Sequence, residues 1–254
     1  MASAEEPLWS DATSSRESLH GGLHRLVTEK LGQAIASGEL REGQKIVPEE
    51  LGESLDVSRT VMRESLRVLA AKGMVKASPR AGTKVTGIEQ WSLLDPDVIM
   101  WRVRGPQRDD QLRELMSLRY GIEPLAAAGA AQTAGQAEID ALYASCNEME
   151  AAATAGNLAL FTRADISFHT QILASSGNLI YRQFARPIEA VLMARKNLEM
   201  MPPTVESVVV AHHRAIADAI AARDADRAEE LTRELVGTAR AEILHEVERQ
   251  STGS

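Results

Sequence analysis

The amino-acid sequence predicts a mainly α-helical chain in two parts. A small N-terminal domain of helices closed by a β-hairpin should precede a larger all-α bundle. Three observations predict this. Aromatic residues make up only 4% of the 254 residues, so the cores must be built from Ala, Leu, Ile, Val and Met, which suits packed helices better than a β-sandwich. Beyond residue 107, apolar residues recur at helical spacing with no strand-like alternation. Before residue 88, helical runs give way to two short β-like runs around a turn sequence. The composition, 44% hydrophobic and 25% charged, is that of an ordinary globular protein, and the length allows one large or two modest domains. Cys146 stands alone, which excludes an internal disulfide and a multi-thiolate zinc site, so a cytoplasmic chain is expected. The N-terminus carries acids early and lacks an apolar stretch, unlike a secretory signal. No run approaches the length of a membrane span, so no membrane partner is expected.

Taken in order, residues 1–20 are Ser-, Ala- and Glu-rich without periodicity and read as a disordered tail. Residues 21–87 form the first domain. From Leu23 to Ser37 the positions Leu23, Leu26, Val27, Leu31, Ala34 and Ile35 recur at helical spacing, and Gly38 stops that helix. Residues 39–46 make a turn around Gly43. Pro48 suits the first turn of a short second helix ending at Asp56, because the N–H it lacks would be unbonded there anyway. Ser58 is a good N-cap for a third helix reaching about Lys72, closed by Gly73. The runs MVKAS and TKVT, separated by Pro79-Arg80-Ala81-Gly82, complete a hairpin. Together these elements spell a winged helix-turn-helix.

The net charge of −8 hides an asymmetry. Residues 57–86 hold Arg59, Arg63, Arg67, Lys72, Lys76, Arg80 and Lys84 against Glu64 alone, a local excess that can bind phosphate. Arg59, Arg63 and Arg67 follow at four-residue steps and form a basic stripe on the third helix. A helix of this kind fits the DNA major groove, where an arginine fork reaches guanine O6 and N7. Ser58 and Thr60, at the helix start, are placed to hold phosphate. The hairpin tip, with Arg80, Gly82, Thr83 and Lys84, should reach the adjacent backbone or minor groove. Double-stranded operator DNA is therefore the expected partner.

These residues carry a resemblance. The stretch from Ala34 to Val85 resembles the DNA-binding domain of the GntR superfamily of bacterial transcription regulators. Its family pattern appears here as Ile35 to Leu40, Ser58 to Glu64 and Arg80-Ala81-Gly82. Asp56 stands where that family usually has Gly, and Asp tolerates the left-handed turn conformation. Val61 replaces a common Pro. Glu49 and Glu50 occupy a helix start where some members place a basic DNA contact.

Residues 88–105 read as a linker around Trp91, Asp95-Pro96-Asp97 and Trp101, with the rings packed between domains. Residues 106–250 read as the bundle, with helices near 107–132, 136–155, 157–175, 178–199, 204–222 and 224–249. Gly156, Ser176-Gly177 and Met201-Pro202-Pro203 interrupt them. Asp165 and His169, four residues apart, leave one helix face, and a carboxylate beside an imidazole can coordinate a divalent cation. His212 and His213 point about 100° apart, so at most one faces the same centre. Alone, an Asp-x-x-x-His pair is more often a surface or core hydrogen bond than a metal site.

The segments Leu112–Ala131, Asp165–Asn178 and His213–Ile220 resemble the FCD effector domain of FadR-type GntR regulators. That resemblance implies a divalent ion (Zn, Ni or Mn) held by one Asp and three His, with Asp165, His169 and His213 as the first three. Leu235 falls at the fourth position, and Glu234 beside it points the wrong way by one helical step. It also implies that Arg119 faces an effector cavity, where its guanidinium would clamp a carboxylate. A salt bridge from Arg119 to Glu123 is the local alternative. Asn178 and Arg195 are further effector-binding candidates, although Ser-Gly-Asn also suits a helix start. The linker is similar to that of galactonate- and gluconate-type repressors. The resemblance thus implies a homodimeric repressor, released from its operator by a small organic acid, and not an enzyme. A metal-independent regulator sensing an apolar or acyl ligand is the alternative, and a metal-dependent enzyme a distant one, since no acid–base or nucleophile motif accompanies the Asp and His residues.

Overall fold

The computed structural model describes residues 10–78, 82–198 and 207–252. It divides into two compact units, one ending at Leu93 and the other beginning at Leu94.

In the first unit, helix α1 (Ser10–Ala36) packs on α3 (Arg59–Ala71), and α2 (Pro48–Ser54) also packs on α3. Val27, Leu31 and Ile35 from α1 are buried, as are Val61, Met62, Leu66 and Leu69 from α3. Each large apolar side chain so buried contributes roughly 1.5–3 kcal/mol. Ser65 donates its hydroxyl to the His24 carbonyl at 3.3 Å, tying α3 to α1. Pro48 occupies the start of α2, and Asp56 takes the left-handed conformation (φ 52°) between α2 and α3. Ser58 caps α3 by accepting the Val61 N–H at 3.3 Å.

Strands β2 (Val75–Ser78) and β3 (Gly82–Val85) form the wing, and β1 (Lys45–Ile46) joins them in an antiparallel sheet of order β1-β3-β2. The sequence places β1 in a turn, because two residues are too few for alternation to show. Gly73 (φ 76°) ends α3 where a Cβ would lie 1.9 Å from the Gln90 carbonyl oxygen, so only glycine fits.

The second unit is helical. α4 (Pro96–Val103), α5 (Arg108–Thr133), α6 (Gln136–Thr154) and α7 (Leu158–Ser175) are followed by α8 (Leu179–Gln183), α9 (Ala185–Asn197), α10 (Ser207–Ala221) and α11 (Ala225–Thr252). α5 packs against α4, α7, α9, α10 and α11, so it forms the spine of the bundle. Its inner face carries Ala126, Ala127, Ala130 and Ala131, all fully buried, which lets neighbouring helices approach closely.

Three expectations need correction. Residues 10–20, expected in a tail, are helical and continue α1, while residues 1–9 lie outside the described residues. The expected linker 88–105 is mostly structured. Its first part is a short 3-10 turn, Ile88–Gln90, in the first unit. There Trp91 donates its indole N–H to the Thr86 carbonyl, and the Ser92 N–H donates to Lys72 O. Its second part is α4 of the bundle, capped by Asp95, whose Oδ1 accepts the Asp97 and Val98 N–H groups. The tryptophans thus belong to separate units. The helix expected over 178–199 is two, parted at Phe184.

Candidate functional site

The first functional surface is the exposed face of α3. Arg59 opens the helix, and Arg63 and Arg67 follow with side chains 78% and 80% exposed. Glu64 lies 3.3 Å from Arg67 Nη1 and 3.8 Å from Arg63 Nε, a loose solvated arrangement that leaves both arginines able to reach outward. Between α3 and the wing lies a recess of about 540 Å³, lined by Arg59, Thr60, Arg63, Arg67 and Thr83 among others. Ser58 and Thr60 are exposed at its helix end. Gly82 takes φ 72° at the start of β3 with the Lys45 side chain beside it. Arg80 lies outside the described residues.

The sheet register adds Lys45, which the sequence alone does not single out. Lys45 and Lys76 both stand opposite Lys84, one on each side of β3. Three like charges in one cross-strand row repel each other, and all three are exposed. The row is visible only once β1 is paired with β3.

The second site is buried inside the bundle, among α5, α7, α9 and α10. Asp165 Oδ1 lies 3.0 Å from His213 Nε2 and 3.5 Å from His169 Nε2. Candidate ligand atoms of these three residues fall within 4.8 Å of one another. His213 Nδ1 is held on the Val209 carbonyl at 2.8 Å. His169 Nδ1 lies 2.6 Å from Glu123 Oε2, a short contact off the line of the ring N–H. Both rings turn Nε2 to the centre; Nδ1 of His213 is hydrogen-bonded to an outer carbonyl, while Nδ1 of His169 lies beside the Glu123 carboxylate off the N–H line, an arrangement close to that of metal-binding histidines with oriented outer partners. The residues present fit a divalent cation with three protein ligands.

Two arginines border this centre. Arg119, 2% exposed, places Nε 2.5 Å and Nη2 3.3 Å from the two oxygens of Glu123, while its Nη1 has no partner among the described residues. Arg195 is also buried; its Nη2 lies 3.7 Å from Glu242, and its Nε has no partner among the described residues. Burial opposes charge on Glu123, but Arg119 and His169 outweigh it and hold its pKa at about 2. Burial also opposes charge on His169, yet the Glu123 carboxylate raises its pKa to about 9. Asp165 is held well below the usual carboxylate range by both histidines against its burial. Burial and the positive charge of Arg119 lower the pKa of Arg195. The centre is a tightly charged, buried cluster with two cationic donors to spare among the described residues.

Comparison with known proteins decides the family. Residues 23–85 match the bacterial regulatory proteins of the gntR family, and residues 114–238 match the FCD domain. An uncharacterized HTH-type transcriptional regulator of Escherichia coli, YieP, is 33% identical over 209 residues, covering 81% of this chain and 89% of that one. The chain belongs to the GntR family of regulators, with an FCD domain. The galactonate operon transcriptional repressor of E. coli is 29% identical, covering 79% of this chain and 87% of its own. The transcriptional repressor NanR of Citrobacter rodentium is 30% identical over 82% of this chain and 80% of its own. Among solved structures, the Lar regulator of the Listeria monocytogenes agr system superposes with a TM-score of 0.62 at 16% identity, over 96% and 99% of the two chains. At that identity the likeness bears on the fold alone.

In this GntR regulator the structure brings Asp165, His169, His213, Arg119 and Arg195 into one neighbourhood. Asn178 is not in it. That side chain is exposed and its amide oxygen accepts the Ile180 and Tyr181 N–H groups as the cap of α8, so Ser-Gly-Asn is a helix start. Arg119 makes the Glu123 salt bridge and still keeps a free donor. Glu234 is turned outward, 3.6 Å from His212 Nε2, and Leu235 packs against the apolar core. The contact of Glu123 with His169 is what the sequence reading misses, since it joins positions 46 apart and no local pattern announces it. Among the described residues, no helix is long and apolar enough to cross a membrane.

Proposed function

We propose that this GntR regulator represses an operon for the breakdown of a sugar acid or another small organic acid. It would act in the cytoplasm, as a homodimer on a pseudo-palindromic operator. Two-fold pairing would set two recognition helices on successive turns of the major groove. Arg59, Arg63 and Arg67 would read or flank bases; Ser58, Thr60, Arg80, Gly82, Thr83 and Lys84 would hold the backbone.

One observation carries the effector assignment: Arg119 Nη1 and Arg195 Nε are buried cationic donors without partners among the described residues. A buried charge left incompletely bonded is costly, and a carboxylate is the anion whose geometry best completes a guanidinium. The name of the galactonate operon repressor supports the same acid class. Asp165, His169 and His213 would hold one divalent cation, zinc, nickel or manganese. The ion would supply positive charge and open positions for the acid's oxygens.

Operator binding, followed by fluorescence anisotropy at fixed salt, tests the DNA part. Arg59→Ala and Arg63→Ala should each lose about 1–3 kcal/mol of specific binding. Lys84→Ala should weaken all sequences alike and lower the logarithmic salt slope by about one. Unchanged affinity in both arginine variants would remove α3 as the recognition helix.

Metal content tests the other part. Protein purified without a His-tag and stripped by a chelator should take up one Zn²⁺, Ni²⁺ or Mn²⁺ and melt at a higher temperature. Its affinity should be below that of a four-ligand site, because Leu235 offers no donor. A protein that ignores all three ions supports the second reading, a metal-independent regulator with an apolar or acyl ligand.

A further inference from the structure

We propose that Glu123 couples the effector arginine to the metal centre, by setting which nitrogen of His169 faces the cation. This rests on the metal and effector reading above. Glu123 is 1% exposed, and its two oxygens are divided between partners. Oε1 lies 2.5 Å from Arg119 Nε; Oε2 lies 3.3 Å from Arg119 Nη2 and 2.6 Å from His169 Nδ1.

A neutral imidazole carries one N–H, and the nitrogen facing an acceptor keeps it. For His213 the acceptor is the Val209 carbonyl, which no side-chain substitution removes. For His169 it is the Glu123 carboxylate, 2.6 Å from Nδ1 though off the N–H line, and Nε2 of both rings faces Asp165. With the proton kept at Nδ1, the Nε2 lone pair is offered beside Asp165. The same carboxylate occupies Arg119 through Nε and Nη2, leaving Nη1 for the acid. Acid and cation are thereby linked through one side chain, and each must raise or lower the affinity of the other by the same factor.

Glu123→Gln reverses the signal. Arg119 Nε claims the remaining oxygen, so the amide NH₂ faces His169 Nδ1. That nitrogen must then accept, and the proton moves to Nε2. The Zn²⁺ dissociation constant, measured in the full chain by competition with a chromophoric chelator, should rise about 10–100-fold. Nitrogen-15 NMR of histidine in the Zn²⁺-loaded wild type should show a protonated Nδ1 on His169.

Two double variants separate orientation from simple charge balance, and both remove the buried charges together. In Arg119→Met/Glu123→Gln the amide oxygen is free to turn to His169, so Zn²⁺ affinity should return towards wild type. In Arg119→Met/Glu123→Met no acceptor remains, and affinity should stay low. Recovery in both doubles, or wild-type Zn²⁺ affinity in Glu123→Gln, overturns the role of Glu123 while leaving the metal centre standing. A wild type that takes up no Zn²⁺ overturns the metal centre and this role with it.

Discussion

Arg119→Ala should bind the operator as tightly as the wild type and no longer release it when the acid is added. The residues proposed to bind the operator lie on α3 and the wing in the first unit, whereas Arg119 is on α5 in the second. An effector shifts DNA affinity only by binding two states of the protein unequally. If Arg119 supplies most of the grip on the carboxylate, its loss removes that inequality, and in a cell the variant is a super-repressor. The same substitution strands Glu123, which keeps only the His169 contact. Breaking a buried ion pair costs about 3–5 kcal/mol, so the melting temperature should fall by on the order of 10 °C for a domain of this size. Operator anisotropy at low temperature, with galactonate as the first acid tried, keeps the two effects apart. Release at the wild-type acid concentration would sink the carboxylate clamp and leave the repressor reading intact.

Much of this site was legible in the sequence, for local reasons. Asp165 and His169 share a helix face at four-residue spacing, and Arg119 and Glu123 do the same on an earlier helix. Ser58, Asp56 and Pro48 mark their turns by chemistry that acts within three residues. What stayed hidden depended on distant partners. Strand β1 exists only because β3 pairs with it, and the lysine row depends on that pairing. α4 was concealed because Asp95-Pro96-Asp97 reads as a break. Yet an Asp cap followed by Pro at the first helical position is also a start signal, and here the start signal is the correct one. The division of α8 from α9 had a similar clue in Pro187, near the start of α9.

Trp101→Ala should be among the most destabilising single changes in the bundle, and a milder change nearby should uncouple the acid from the operator. Trp101 is 1% exposed on α4, and truncating a fully buried tryptophan costs about 3–5 kcal/mol. Its helix packs on α5 and α9, the two helices that carry Arg119 and Arg195. Arg102 fixes it further, with Nη1 3.0 Å from Glu114 and Nε 3.2 Å from Gln107. At the other end, Asp95 caps α4, while the Ser92 N–H is bonded to Lys72 O at the close of the recognition helix. Only Leu93 and Leu94 lie between those anchors. If acid at α5 and α9 shifts α4, these two residues are the only chain between it and the bond that closes α3. Inserting two glycines between Leu93 and Leu94 lengthens that stretch without touching either site. The insertion variant should keep its operator affinity and its calorimetric affinity for the acid, while needing far more acid to leave the operator. Should it release DNA at the wild-type acid concentration, the signal does not travel along this segment. Trp101→Phe, which keeps α4 packed, should fall between the wild type and the insertion.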